Sequence, residues 1–288
     1  MNTQTLLNNV ATINKDNGIF VNAKEFLKEL RQVATAVAKP SDHRPNLTFV
    51  HVRVTENNLI LEATDSHVLE RANVAASIPD ELVGKEFLID GKFAKNLSKT
   101  PTKYGKTLGV YPQFNDGKYK GIISIVGGGE EFIDDSRENI SVFGYPDLVR
   151  VTPYLDGATV KFDVQQKEIF PVLKEIVKIV NKPGLTKEFK EVKKTEVVAL
   201  LVKDNVVKLK YSNYSNWEKD LEFPIAVTNI VVNDEFEINF NVKKLKQRLQ
   251  HLSSRENLTF RFYQNAYRPF TISRENGGLG LVCPIRLY

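Results

Sequence analysis

The sequence predicts an α+β protein of two domains, each made of two β-α-β-β-β units. Three observations carry that prediction. The 288 residues are too many for one small core and suit two domains of ordinary size. Short runs that alternate apolar and polar residues between turn residues recur along the chain, as half-buried strands do. The order strand, helix, three strands also appears four times, as a repeat of element order without likeness of sequence between the copies.

Residues 1–17, rich in Asn and without periodicity, read as an N-terminal arm. The first domain is expected over 18–153. It opens with strand Ile19-Phe20-Val21 and a helix capped by Asn22 that runs to about Ala38. Phe26, Leu27, Leu30, Val33, Ala34 and Val37 recur at three and four to make its apolar face, with Lys24, Lys28 and Arg31 opposite. Lys39-Pro40 stops the helix, and strands follow at about 47–54, 58–62 and 68–74. The second unit has strand Glu86–Ile89, a helix from Asp90 to about Ser98 carrying Lys92 and Lys95, and strands near 107–111, 121–126 and 139–143. Gly127-Gly128-Gly129 reads as a hairpin loop, and Glu130-Glu131 and Asp134-Asp135 as solvated carboxylates in polar loops.

Pro146 and Pro153 bracket a connector to a second domain at 154–288. Strand 159–162 precedes a helix from Val164 to Val180, with Ile169, Val172, Leu173, Ile176, Val177 and Val180 on one stripe and Lys174 and Lys178 off it. Asn181-Lys182-Pro183-Gly184 ends that helix. A charged surface loop is expected at 187–195, then strands at 197–202, 206–211 and 221–226. The fourth unit has strand 236–240, helix 241–252 and strands at 258–263, 270–273 and 279–285. In its helix Val242, Leu245, Leu249 and Leu252 face inward, which leaves Lys243, Lys244, Lys246 and Arg248 outside.

Hydrophobic residues at 42% and charged residues at 26% fit a folded globular chain, so disorder is excluded over most of it. No apolar run reaches membrane-span length and the polar start is unlike a signal peptide, so the expectation is a cytoplasmic protein with no membrane partner. One Cys and four His offer neither an internal disulfide nor a zinc cluster, and no cofactor or metal is expected. The net charge of +5 is too small to argue for a nucleic-acid partner, so placement has to. Four helices each pair an apolar with a basic face, although Glu25, Glu29, Glu168 and Glu175 sit among them. A solvated face explains any single helix; four with one bias suit a surface that neutralises phosphates without reading bases.

Other chemistry finds no support. Asp65, Ser66 and His67 hold the residue types of a hydrolytic triad, but neighbours on a tight turn point apart and cannot form its relay. The glycine run lacks the Gly-Lys-Ser/Thr of a phosphate loop. No enzyme is expected. Tyr211, Tyr214 and Trp217 near Lys208, Lys210 and Lys219, and Tyr263, Tyr267 and Phe270 near Arg261 and Arg268, raise a single-strand stacking surface against ordinary burial in a sheet.

Three stretches in order resemble one family. Leu59–Arg71, with the turn Ala63-Thr64-Asp65-Ser66-His67, Tyr145–Pro153, and the C-terminal Leu281–Tyr288 are similar to segments of the bacterial sliding clamp, the ring-shaped beta subunit of DNA polymerase III. The resemblance spans nearly the whole chain from about Gly18 and implies the DNA clamp fold, with helices on the concave face around duplex DNA and sheets outside. Family members have three domains and close as dimers. The matches here fall on the middle and last domains, and residues 1–17 leave no room for the first. Two domains per chain then close best as a head-to-tail homotrimer joined by edge strands. An open monomer, or an adaptor that binds partners without enclosing DNA, stays open as the alternative.

The resemblance further implies a processivity factor loaded by an ATP-driven clamp loader. Phosphate contacts would come from Lys24, Lys28, Arg31, Lys92, Lys95, Lys174, Lys178, Lys243, Lys244, Lys246 and Arg248. A pocket for short motifs of polymerase and loader subunits is implied at Leu47, Thr64, Ser66, His67, Val68, Leu69, Pro146, Arg150, Val151, Leu281, Cys283, Pro284, Ile285 and Arg286. Interdomain packing would account for the apolar members equally well. Val68 stands where the family usually has Arg, and Cys283 where Met is common, which puts the usual motif preference in doubt.

Overall fold

The computed structural model describes residues 18–40, 44–99, 105–135, 144–181, 196–211, 221–232, 235–265 and 267–286. The chain divides into two compact units. The first runs to Ser66 and resumes over Glu70–Pro146; the second takes His67–Leu69 and everything from Asp147 on. The division thus falls after Pro146, where the sequence placed it after Pro153. The Tyr145 ring stacks on His51 with centroids 4.7 Å apart, and its hydroxyl donates to the carbonyls of Phe49 and Glu62, so the chain is fastened to the first unit up to that point.

In the first unit β1 (Ile19–Asn22) leads into α1 (Ala23–Val33), then β2 (Phe49–Val54), β3 (Asn58–Thr64) and β4 (Val68–Ser77). A second round gives β5 (Glu86–Asp90), α2 (Gly91–Leu97), β6 (Thr107–Asn115), β7 (Lys118–Gly127) and β8 (Glu130–Asp134). The leading strands are exchanged: β5 joins the meander of the first round as β5-β2-β3-β4, and β1 joins that of the second as β1-β6-β7-β8. Neither half can therefore close its sheet alone. Ile19, Phe26, Leu30, Val52, Leu61, Phe87 and Ile125 are buried to 0% exposure between these strands and helices.

The second unit repeats the exchange. It comprises β9 (Val160–Gln165), α3 (Gln166–Asn181), β10 (Val197–Lys203), β11 (Val206–Tyr211), β12 (Leu221–Ile225), β13 (Thr228–Val232), β14 (Phe236–Asn241), α4 (Val242–Leu249), β15 (Asn257–Phe262), β16 (Phe270–Arg274) and β17 (Leu279–Val282). One sheet runs β14-β10-β11-β12 and the other β13-β9-β15-β16-β17. Alternate residues of β9, β15 and β16 put Phe162, Phe260, Phe262 and Phe270 on one face, with ring centroids 5.0 Å apart for Phe262–Phe270 and 5.3 Å for Phe162–Phe260. In each unit the two helices pack on one another. The buried Gln166 amide donates to the Leu249 carbonyl at the end of α4, tying the pair together.

Several expectations change. The first helix ends at Val33 and tightens into a 3₁₀ turn at Ala34–Ala36 instead of reaching Ala38. Glu130–Asp134 is a strand and not a polar loop: Gly128 and Gly129, at φ 60° and 81°, form a two-residue turn that returns the chain along β7. Asp134, read as solvated, is 4% exposed and accepts from the Asp90 amide at 2.7 Å. The last strand stops at Val282, short of Ile285. Pro284, without an N–H, bridges to Phe240, and the Ile285 amide donates to the Asn239 carbonyl, so the tail crosses to β14. β13 was not foreseen. The arm at 1–17, the strand at 139–143 and the charged loop at 187–195 lie outside the described residues. Among the described residues no helix is long and apolar enough to cross a membrane.

Candidate functional site

The basic faces begin at the caps. Asn22 accepts from the Glu25 amide, Asp90 from the amides of Lys92 and Phe93, and Asn241 from that of Lys244. Each cap fixes where its helix starts and so which residues turn outward. On α1 the exposed charges are Lys24, Glu25, Lys28 and Arg31, on α2 Lys92 and Lys95, and on α3 Lys167, Lys174, Glu175 and Lys178. That is eight cations against two carboxylates, an excess that ordinary mixed-sign helix surfaces lack. The Lys174 ammonium lies 5.4 Å from the Phe170 ring centroid on its own helix. On α4 Lys243, Lys244 and Lys246 are half-buried. Lys243 reaches Glu196 at 2.7 Å, and hydrogen bonds from Lys243 and Asn241 hold the Glu196 carboxyl below its ordinary range. Lys243 is therefore partly neutralised before any phosphate arrives.

The expected pocket residues distribute by burial. Leu47, Val68, Leu69 and Leu281 are 6% exposed or less and act as core, and Thr64 is buried with them. Ser66, His67, Pro146, Arg150 and Arg286 are exposed, Cys283, Pro284 and Ile285 half-buried, and Val151 is 54% exposed. Leu47, Thr64, Ser66 and Pro146 belong to the first unit and the remainder to the second. Within the second, the Cys283 amide donates to the His67 carbonyl at 2.8 Å. At the turn Ser66 takes φ 76°, its amide donates to Thr64 Oγ1, and Arg44 donates to its hydroxyl. That hydroxyl is thus an acceptor for a guanidinium.

No protein-family model matches the chain. A beta sliding clamp of Staphylococcus aureus is 24% identical over 278 residues, which cover 96% of this chain and 66% of that protein. The DNA polymerase sliding clamp from Bacillus subtilis superposes with a TM-score of 0.77 at 23% identity, over 96% of this chain and 66% of that one. The DNA polymerase III beta subunit from Thermotoga maritima gives 0.73 at 22% identity, over 96% and 67%. This is the fold of the bacterial sliding clamp. The sequence resemblance and the predicted α+β clamp architecture are both borne out. The chain spans about two thirds of the length of the curated clamps it matches.

Within the clamp fold one expected phosphate contact is corrected. Arg248 is 1% exposed and lies inside the second unit, not on its surface. The reason is angular: it follows the inward Leu245 by three residues and precedes Leu249 by one, so it sits on the flank of the buried arc.

The exposure of Val149 and Tyr154 and the meeting of Tyr267 with Arg286 were not foreseen. Val149 and Tyr154 beside the connector are 57% and 77% exposed, and Tyr267 is 59% exposed with the Arg286 guanidinium 4.7 Å above its ring. Tyr263 and Phe270, named with Tyr267 as a stacking surface, are buried; Tyr214 and Trp217 lie outside the described residues. Among the described residues of the second unit, one open cavity is lined by Asp163, Arg261 and Glu275 among others, and another by Thr159, Tyr263, Tyr267 and Arg268 among others. None of the expected pocket residues lines either.

The first unit also carries a buried ionic cluster. Glu62 on β3, 3% exposed, accepts from Arg53 through both carboxylate oxygens at 3.1 Å and from Arg71, and lies 3.5 Å from His51. Burial opposes the charge on Glu62, but His51, Arg53 and Arg71 outweigh it and hold its pKa down at about 2. The cluster locks β2, β3 and β4 in register beneath the Thr64–His67 turn.

Proposed function

We propose that the chain is a DNA polymerase sliding clamp: a ring that encircles duplex DNA and tethers polymerase and clamp-loader subunits through short linear motifs. The observation that carries the reading is the sign of the exposed helix faces, eight cations to two carboxylates on α1, α2 and α3 of a clamp fold. Lys24, Lys28, Arg31, Lys92, Lys95, Lys174 and Lys178 are the cations assigned to phosphates, with the half-buried Lys244 and Lys246 adding to them. Such contacts hold DNA without reading sequence, as a sliding protein requires. With two units per chain the ring is a head-to-tail homotrimer. The motif site is assigned to the exposed and half-buried members of the expected pocket in the second unit: His67, Arg150, Val151, Cys283, Pro284, Ile285 and Arg286.

Topology gives the test. Protein loaded on nicked circular DNA should stay bound through gel filtration at high salt and be lost when the circle is linearised. Equal loss from both forms would refute encirclement and favour an adaptor that binds partners alone. Light scattering should give three times the chain mass of 32.7 kDa; a strict monomer or dimer at micromolar concentration would overturn the trimer.

A further inference from the structure

The cavity at the Tyr267 turn in the second unit, of about 660 Å³, has Arg268 as the charged residue of its described lining. Tyr263 is its buried member, with the hydroxyl within hydrogen-bond distance of Thr271, and Thr159 and Gly157 also line it. Tyr267 and Arg268 form the outer lip. Their positions are set by Asn265, whose side chain accepts from the Tyr267 amide at 2.8 Å and whose carbonyl accepts from the Arg268 amide at 2.9 Å. Among the described residues no carboxylate lines the cavity, and Gln264 and Asn265 add to its polar lining. Arg286, from the C-terminal tail, adds a second guanidinium over the face of Tyr267. The tail is thereby continuous with this cavity: the residue that the motif site contributes at its end is the one that stacks on the cavity's lip.

We infer that this cavity is an acidic subsite, taking Asp or Glu side chains that flank the apolar anchors of a partner peptide. The inference rests on the motif-site reading above and adds its charge preference. Arg268, in the cavity lining, and Arg286, over the ring of Tyr267, are both exposed and present forked donors matched to carboxylates. Tyr267 supports one of them by cation–π contact, which keeps the guanidinium plane in place at little entropic cost. An apolar peptide end would gain nothing from such walls, and a basic one would be repelled.

The test uses the full chain and labelled peptides that carry one Leu/Phe anchor pair, with Asp-Asp, Asn-Asn or Lys-Lys placed before or after it, read by fluorescence polarisation at about 0.1 M salt. One of the Asp-Asp peptides should bind about tenfold tighter than its Asn-Asn counterpart, and the gap should narrow several-fold in the Arg268→Ser variant while the Asn-Asn affinity stays within about twofold. Arg268 is exposed, so thermal melts should show that the variant folds as the parent does. Equal affinity for Asp-Asp and Asn-Asn at both placements overturns the acidic subsite and leaves the motif site standing. Failure of every peptide to bind overturns the motif site and this inference with it.

Discussion

Replacing Glu62 by Gln should remove one of the larger single contributions to the stability of the first unit, and the structure sets its size. The carboxylate is 3% exposed, bridges Arg53 and Arg71, and has its pKa held down at about 2 from an ordinary 4.5. That depression is worth about 3 kcal/mol, at roughly 1.4 kcal/mol per unit. Because the folded pKa lies below the unfolded one, the stabilisation is complete above about pH 4.5 and is lost as pH falls toward about 2. Gln keeps the shape but leaves two guanidiniums without their counter-charge, so at pH 7 the loss should reach about 3–5 kcal/mol. Urea denaturation of both proteins, followed by far-UV circular dichroism across about pH 2.5 to 7, gives a difference curve from which other carboxylates cancel. It should be large at neutral pH and shrink in the acid window. A neutral-pH difference below about 1 kcal/mol, or one that stays constant on acidification, would refute the assignment of the cluster as a net stabiliser.

Four further outcomes are expected. Reversing Lys24, Lys28, Lys92 and Lys95 to Glu should cut retention on circular DNA and reduce the salt slope of binding by about 3–4, since each lost phosphate contact removes about 0.9 from it. Arg248→Ala should instead cost about 2 kcal/mol or more in denaturation and leave that salt slope unchanged, because the side chain is buried. Gly109→Ala should lose about 1–3 kcal/mol in thermal melts, as a Cβ there would lie 2.7 Å from the Tyr111 ring, and Tyr111→Leu should recover part of the loss. Ser66→Val should cost about 1–2 kcal/mol at its φ of 76°, with Ser66→Gly tolerated; equal melting points for the two would argue against strain at the turn.

The arginine-bearing cavity changes how the C-terminal tail is read. By sequence Arg286 belongs to the implied motif pocket, and Tyr267 and Arg268 to a candidate stacking surface, with nothing to bring the two together. In the proposed motif site they add charge selection to apolar anchoring, a means of ranking competing partners that bind with similar anchors.

Local patterning by itself determined the element types. Period-two runs gave the strands, the spacing of Phe26, Leu27, Leu30 and Val33 gave α1, and caps such as Asn22 and Asp90 gave helix starts, because these signals act over a few residues and each burial face repeats with its own period. The same locality made the order of elements, and through the turn at Thr64 and the tail at Cys283 the clamp resemblance, legible before any coordinates. Only the tertiary structure decided the exchange of β1 and β5 between the two halves of the first unit, the burial of Arg248, the conversion of Glu130–Asp134 from loop to strand, and the meeting of Arg286 with Tyr267. Each depends on which distant segment lies alongside, a choice made by the summed burial of both units and by no single stretch of the chain.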